Sequence, residues 1–261
     1  MPNVTRISIA PVKGLALVHP HEVTLELNGV RDNRRFHIVD ADGRRYNQLR
    51  NGALVQIKQA YDDSTQRLAL RFPEGSSAEG EVALGEEITT DFYGHAVTGR
   101  LVEGPWSEAL SRWAGRPLRL VQSAPGAAVD RADRRGHVSL VSEASLQELG
   151  RQGRHDGAVD GRRFRMLFEI DGVGAHGEDA WIERHVRIGS ALVRMRGDVG
   201  RCAITTQNPE TGEPDFDTLK TLAAYRPVTA NEAGKKHLAF GVYGEVVEPG
   251  RVAVGDTVET A

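Results

Sequence analysis

Apolar and polar residues alternate with a period of two along much of the first hundred positions. Val23, Leu25 and Leu27 alternate with Thr24 and Glu26, and Asn28-Gly29 then turns the chain. Leu68, Leu70 and Phe72 alternate with Ala69 and Arg71. Apolar or β-branched runs over 4–10, 36–39, 54–57, 88–92 and 97–102 predict further strands, and Asp40-Ala41-Asp42-Gly43 marks a turn. The small and polar residues of 73–80 read as a loop. Helical spacing first emerges at 105–114, where Trp106, Ala109, Leu110 and Trp113 share a face. Pro105 suits the first helical position there, and Gly115 and Pro117 end the element. A second helix starts with Ser142 as N-cap and carries Leu146 and Leu149 up to Gly150. A third covers about 217–225, with Leu219 and Leu222 on one side, and stops before Arg226-Pro227. Strands are predicted at 138–141, 164–170, 191–195, 240–247 and 251–258, the last broken by Gly255-Asp256.

This is the pattern of a mainly β, barrel-rich chain with a few short helices, and it does not suit alternating βαβ units. The 29 glycines and 11 prolines fit many turns. At roughly 150 residues per domain, 261 residues make one large domain or two intimate ones. The shift in character near residue 105 suggests halves of 1–104 and 105–261. A formal charge of -3 argues against nucleic acid or acidic membrane as partner, because phosphate contacts need a basic surplus. No apolar run is long enough to span a bilayer, and the N-terminus lacks a signal-peptide pattern. The cytoplasm is therefore the expected location, and one free cysteine suits a reducing compartment. That single cysteine also excludes an internal disulfide, and a zinc or iron–sulfur site ligated by cysteines of one chain. Residues 130–135 are charged and read as a surface loop.

Cys202, in Arg201-Cys202-Ala203-Ile204-Thr205-Thr206, is the first candidate for chemistry. A thiolate is a soft metal donor or a nucleophile, and Arg201 beside it favours the ionised form; a buried cysteine acting as a small hydrophobe is the other reading. Arginines form a second theme. Arg162-Arg163-Phe164-Arg165 opens a predicted strand, Arg31-Asp32-Asn33-Arg34-Arg35 precedes another, and Lys13 lies in Pro11-Val12-Lys13-Gly14. If these segments converge they form an anion pocket, because guanidinium forks match phosphate; otherwise they are solvated strand ends. His19-Pro20-His21 has ligand-like spacing but reads as an exposed turn, and the three tryptophans read as core. HExxH, a Gly-rich phosphate loop, GxSxG and an EF-hand loop are all absent from the sequence.

Taken together, several short motifs resemble the MOSC (molybdenum-cofactor sulfurase C-terminal) domain family. Pro11-Val12-Lys13-Gly14, Asn33-Arg34-Arg35-Phe36 and Asn47-Gln48 resemble its N-terminal β-barrel half. The stretch from Val138 to Leu146, Arg163-Phe164-Arg165, Glu178-Asp179-Ala180-Trp181, the Arg201 to Thr206 run, Phe240-Gly241-Val242-Tyr243 and Val254-Gly255-Asp256 follow in family order. The resemblance implies an N-terminal β-barrel half, a C-terminal MOSC β-barrel domain, and a molybdenum cofactor whose pterin bears a dithiolene and a phosphate. In relatives such as the mitochondrial amidoxime-reducing component, the cysteine of the Arg-Cys motif ligates molybdenum and N-hydroxylated substrates lose oxygen. By that analogy Cys202 is the metal ligand and catalytic residue, and Lys13, Arg35, Ser142, Arg165 and Arg201 are cofactor-binding candidates. Ser142 reads equally as a plain N-cap.

The resemblance leaves the activity open between a molybdenum-dependent oxidoreductase acting on small N-oxygenated molecules, a cofactor carrier or sulfur-transfer module, and a divergent protein that has lost the cofactor. With one cysteine the sequence has no iron–sulfur motif, so an oxidoreductase would need a separate electron-donor protein; separately, no lysine has the context of a pyridoxal-phosphate site. The sequence departs from the family at Met166-Leu167, where the relatives carry Pro-Asn. It departs again at Asn208, where they carry an aspartate, and at Gly14, where serine is common.

Overall fold

The computed structural model describes residues 1–124, 136–230, 234 and 236–261; the charged stretch at 130–135 lies outside them. Strands dominate, and three α-helices accompany them: α1 (Trp106–Ala114), α2 (Glu143–Gln152) and α3 (Thr218–Tyr225).

The larger sheet follows the strand order Asn3–Ile7, Phe168–Asp171, Val138–Ser142, Lys236–Glu248, Ala191–Gly200, His185–Ile188, Val258–Thr260. Its two edges meet. Val4 N donates to Asp256 O at 2.9 Å, Gly255 N to Val4 O at 2.7 Å and Val258 N to Pro2 O at 2.9 Å, which brings the edges together into a nearly closed barrel. The two long strands, Ala191–Gly200 and Lys236–Glu248, pair through three register irregularities. Such bulges bend a strand, as a small barrel requires. Alternate side chains point inward, so Val186, Ile188, Val193, Met195, Val242, Val246 and Val258 share a core with Val4, Ile7, Val23 and Leu25 from the start of the chain.

The first half wraps a second core. Arg45–Tyr46, Phe36–Asp40, Leu118–Ser123, His95–Glu103 and Ala83–Phe92 form one sheet, and Lys58–Asp62, Arg67–Arg71 and Ser77–Glu81 form another. Phe36, Ile38, Leu68, Leu70, Trp106, Leu110 and Leu120 fill the space between. Helix α1 belongs to this half. Trp106 is fully buried and its Nε1 donates to Leu68 O at 3.2 Å, while Ser111 and Ser107 bond the backbone of Leu118 and Leu120. Burying an aromatic side chain of this size contributes about 2–3 kcal/mol.

The chain therefore does not divide linearly. The first core contains Trp106 and Leu118 from beyond the expected 104/105 boundary, and the core of the second barrel contains Val4 and Ile7 from the opening strand. Local expectations also shift. Residues 77–81 of the expected loop form an edge strand, because pairing with Arg67–Arg71 satisfies their backbone groups. The run at 54–57 falls in a 3-10 turn, Gly52–Gln56, capped by Asn51. The strand expected from 164 starts only at Phe168, because Arg162-Arg163-Phe164 lies in a 3-10 turn (Gly161–Phe164) and Arg165 follows with φ of 52°. Helix α2 continues through Gly150 to Gln152.

Candidate functional site

A cavity of about 600 Å³ opens between the two halves. Its size is that of a small-molecule or cofactor site. Lys13, Arg35, Arg165, Arg201 and Cys202 all line it, so segments far apart in sequence do converge.

Each of these residues is held by its local fold. The Lys13 turn is pinned from below by the buried amide of Gln59, which accepts from Val12 N at 2.6 Å and donates to Ala16 O at 2.6 Å; Lys13 N itself donates to Phe36 O. Arg35 lies at the start of the strand that follows Arg34, with its Nη2 3.7 Å from Asp63 Oδ1 and its buried Nε without a protein acceptor. Arg165 projects from its left-handed backbone across the gap and donates to Leu15 O at 2.8 Å, while Arg34 reaches back to the Arg165 carbonyl at 3.0 Å. These two arginines clasp one half to the other. The Arg201 guanidinium stacks over Phe164 and donates to the carbonyls of Phe164 and Phe240 and to Met166 Sδ. Gly241, at φ of 74°, lets this arrangement close: a Cβ there would lie 2.7 Å from both Leu140 O and Met166 Cε.

Cys202 is exposed. It starts the 3-10 turn Ala203–Thr206, where Thr205 closes back on the Cys202 carbonyl through both N (3.1 Å) and Oγ1 (2.9 Å). Thr218, at the start of α3, donates to Thr205 O from below at 2.7 Å. The thiol thus stands on a rigid turn at the cavity wall and is not the buried hydrophobe of the alternative reading.

Ser142 is a correction. It is 0 % exposed, does not line the cavity, and caps α2 by accepting from Ser145 N at 3.1 Å. Its hydroxyl donates to Glu178 Oε2 at 2.9 Å, and its amide and the Ser145 hydroxyl bond Glu178 Oε1. Helix α2 therefore offers its first turn to a buried carboxylate of the protein itself, not to a ligand. His19 and His21 are exposed and lie outside helix and strand, as expected. The Nδ1 of His19 is 3.1 Å from Ser8 Oγ, and desolvation of the ring lowers its pKa. Among the described residues, no group of three or more His, Cys, Asp or Glu side chains is placed to hold a metal.

The sequence reading carried Arg163 only as part of the Arg162–Arg165 segment and did not name Asp215. Arg163 lines the cavity with its side chain 5 % exposed, and its Nη1 binds Asp215 Oδ1 at 2.5 Å and the carbonyls of Thr206 and Gln207. This locks the end of the Cys202 turn. Residues 207–215 then form a strap laid against the first half. Gln207 Nε2 donates to Gln48 O, Gln56 Nε2 donates to Thr211 O, and Gly212 packs backbone to backbone on Gly52. Asn208 organises the strap: its Oδ1 accepts from Glu210 N and Thr211 N, and its Nδ2 donates to Asp215 Oδ2 at 2.8 Å. An amide suits this place better than the family aspartate, because an aspartate would face Asp215 with two acceptors and no donor. Met166 is buried among Phe164, Val199 and Phe240, and Leu167 enters the barrel core, so apolar residues satisfy both positions.

The profile of the MOSC domain matches residues 129–259, and that of the MOSC N-terminal beta barrel domain matches residues 1–118. The chain belongs to the MOSC domain family. It is 25% identical to the mitochondrial amidoxime-reducing component 1 of Xenopus laevis, over 98% of this chain and 81% of that protein. It is 28% identical to the molybdenum cofactor sulfurase of Drosophila grimshawi over 93% of this chain, and so spans about a third (32%) of that longer protein. Among solved structures, the YuaD protein of Bacillus subtilis aligns over 100% of this chain and 96% of its own, with a TM-score of 0.48 at 12% identity. The second of these relatives is named for the molybdenum cofactor.

Proposed function

We propose that the protein binds a molybdenum cofactor in the cavity between its halves and reduces small N-oxygenated molecules, with Cys202 as the protein ligand to the metal. The observation that carries this reading is the convergence of an exposed thiol and a cationic wall in one cavity. The donor set suits the group. A thiolate is a soft ligand for molybdenum, and the cofactor phosphate matches Lys13, Arg35 and Arg165. When bound, the cofactor supplies two-electron oxygen-atom chemistry. Overall, an N-hydroxyl group, two electrons and two protons yield an N–H group and water.

The chain's own residues would bind, orient and shield. Arg163 and Thr205 fix the turn that presents Cys202. Arg201 ties that turn to Phe164 and Phe240 and so holds the cavity wall in place. Neither Asn208 nor Gln207 is a proton donor of useful strength, so protons come from solvent at the open face. Electrons would come from a separate donor protein. Among the described residues no helix is long and apolar enough to cross a membrane. The exposed thiol suits a reducing compartment such as the cytoplasm.

The match to molybdenum cofactor sulfurase over 93% of this chain favours one second reading, a carrier or sulfur-transfer module using the same thiol. One experiment tests both. Purified protein is assayed for molybdenum and for the fluorescent oxidised pterin, with protein from a cofactor-deficient host as control. It is then supplied with an artificial electron donor and an amidoxime. Stoichiometric metal and pterin, with turnover abolished in Cys202→Ala, supports the reductase. Metal and pterin without turnover of any N-oxygenated compound supports the carrier, and absence of both refutes cofactor binding.

A further inference from the structure

His37 is buried in the first half of the molecule, edge-on to the Phe92 ring with centroids 5.0 Å apart. Its Nδ1 lies 2.9 Å from Ser123 Oγ and its Nε2 lies 3.2 Å from Thr90 Oγ1. Burial, assisted by Lys13 and Arg45, pushes its pKa down to about 3, so the ring is neutral. A neutral imidazole carries one N–H, so one nitrogen donates and the other accepts. Thr90 decides which. It is 1 % exposed, and among the described residues its hydroxyl has His37 as its one partner. With the ring proton on Nε2, the Thr90 O–H would be a buried donor without an acceptor, which folded chains avoid. Thr90 therefore donates to Nε2, the ring proton sits on Nδ1, and His37 donates to Ser123 Oγ.

Ser123 ends the strand Leu118–Ser123 and lines the cavity between the halves. Its backbone is fixed on both sides: Ser123 N donates to Arg35 O at 2.9 Å and Ala124 N to Thr98 O at 3.0 Å. Its Oγ already accepts from His37, so turning the hydroxyl hydrogen inward finds no acceptor. Among the described residues the side chain has no other partner. The hydrogen is left for whatever occupies the cavity, water included. We infer that Ser123 is a neutral donor of the cavity wall, aimed through Thr90 and His37, and that it binds an oxygen or ring-nitrogen acceptor of the molecule held there. Identifying that molecule as the pterin cofactor rests on the cofactor-binding proposal; the direction of the Thr90–His37–Ser123 relay does not. A donor aimed in advance loses little further freedom when a ligand arrives, and a chain of hydrogen bonds polarises along its length. A hydroxyl adds no charge, so it selects the position of an acceptor and not the sign of a ligand.

The relay is testable without the cofactor. Full-length protein from a cofactor-deficient host, labelled with nitrogen-15 histidine, reports the ring tautomers in a long-range proton–nitrogen spectrum at pH 7. His37 is assigned by the signal missing from His37→Gln. Its Nδ1 should carry the proton and its Nε2 should not. The reverse tautomer, or both in exchange, overturns the proposal whether or not any Ser123 variant folds. Inorganic phosphate and the phosphate-free 6-hydroxymethylpterin are then titrated separately, which distinguishes an acceptor on the phosphate from one on the ring. The probe that meets Ser123 should shift the His37 Nδ1–H signal. Ser123→Ala, checked for folding by circular dichroism, should bind that probe about three- to tenfold more weakly. No shift with either probe, or equal affinity of parent and folded variant for both, overturns the proposal. Protein from a cofactor-competent host separates this failure from that of cofactor binding. There the parent should keep more pterin through dialysis than Ser123→Ala. Equal retention at full occupancy overturns the role of Ser123 and leaves cofactor binding standing. A parent without pterin refutes cofactor binding, and the tautomer and the phosphate titration then decide the case of Ser123 on their own.

Discussion

Replacing Asn208 with aspartate restores the family residue and should nevertheless weaken this protein. The new carboxylate keeps the two bonds from Glu210 N and Thr211 N but turns its second oxygen toward Asp215 Oδ2, where the amide now donates at 2.8 Å. Two unit charges about 3 Å apart repel by about 1.4 kcal/mol in water and about 5.5 kcal/mol at an effective dielectric of about 20. Asp215 is 37 % exposed, so solvent screening holds the repulsion toward the lower value. The lost charge-assisted hydrogen bond adds about 1.5–3 kcal/mol. Proton uptake by the pair sets a ceiling, because protonating one ordinary carboxyl at pH 7 costs about 4 kcal/mol. The expected deficit is therefore about 2–4 kcal/mol at pH 7. Its pH dependence has a definite sign. The paired acids have a raised folded pKa, so the deficit is full above that value and vanishes as pH falls toward the ordinary carboxyl range. In the parent the sign is opposite: Arg163, with Asn208 assisting, holds Asp215 below the usual range. Urea unfolding followed by circular dichroism at pH 7 and pH 4.5, in low salt, measures both. A variant as stable as the parent at pH 7, or a deficit equal at the two pH values, would refute this account of the strap.

Other outcomes follow from the same geometry. His37 sits between Ser123 Oγ and Thr90 Oγ1 with its pKa pushed down to about 3 by burial. It stays neutral in the folded state and protonates near 6.5 when unfolded, so stability should fall between pH 6.5 and 3 by at most about 5 kcal/mol. His37→Gln should flatten that part of the acid unfolding profile. Burial outweighs Arg6 and lifts Glu169 to about 7, so its charge destabilises the fold increasingly from pH 4.5 to 7. Glu169→Gln should gain up to about 3 kcal/mol at pH 8 and nothing at pH 4, as read by denaturant midpoints. Gly52→Ala would place a Cβ 2.1 Å from Gly212 O and should lift the strap, costing about 2 kcal/mol or more and opening residues 208–213 to limited proteolysis. Ser142→Ala should cost about 1 kcal/mol for the lost cap and more for the stranded Glu178 carboxylate, with no change in the thiol exchange of Cys202.

Much of the β pattern was legible because one face of each strand is buried. The alternation at Val23 and Leu25 and at Leu68 and Leu70 is the barrel interior itself. The three helices were legible from caps and stops: Gly115 takes φ of 65° after α1, and Ser142 and Asp217 cap α2 and α3 through their side chains. The Phe164-Arg165 stretch misled because its apolar residues suggest a strand while a left-handed Arg165 breaks it, and no local residue type announces that conformation. The motifs pointed to Lys13, Arg35, Arg165 and Cys202, which share the cavity wall. Ser142 misled because an N-cap and an anion site use the same residue types. Arg163 and Asp215 are 52 positions apart, and a pair of that kind has no periodic signature.

The opening strand carries a consequence for how the molecule is made. Asn3–Ile7 is synthesised long before Thr257, yet one of its two barrel contacts is the bridge from Asn3 to Thr257. The second barrel therefore has no closed form until Thr257 has been made, and the earlier segment waits with Val4 and Ile7 unburied. A gene cut between the barrels would yield a fragment missing one stave. A circular permutant joining Ala261 to Met1 would make that stave contiguous with the strand beside it, and should fold faster than the parent.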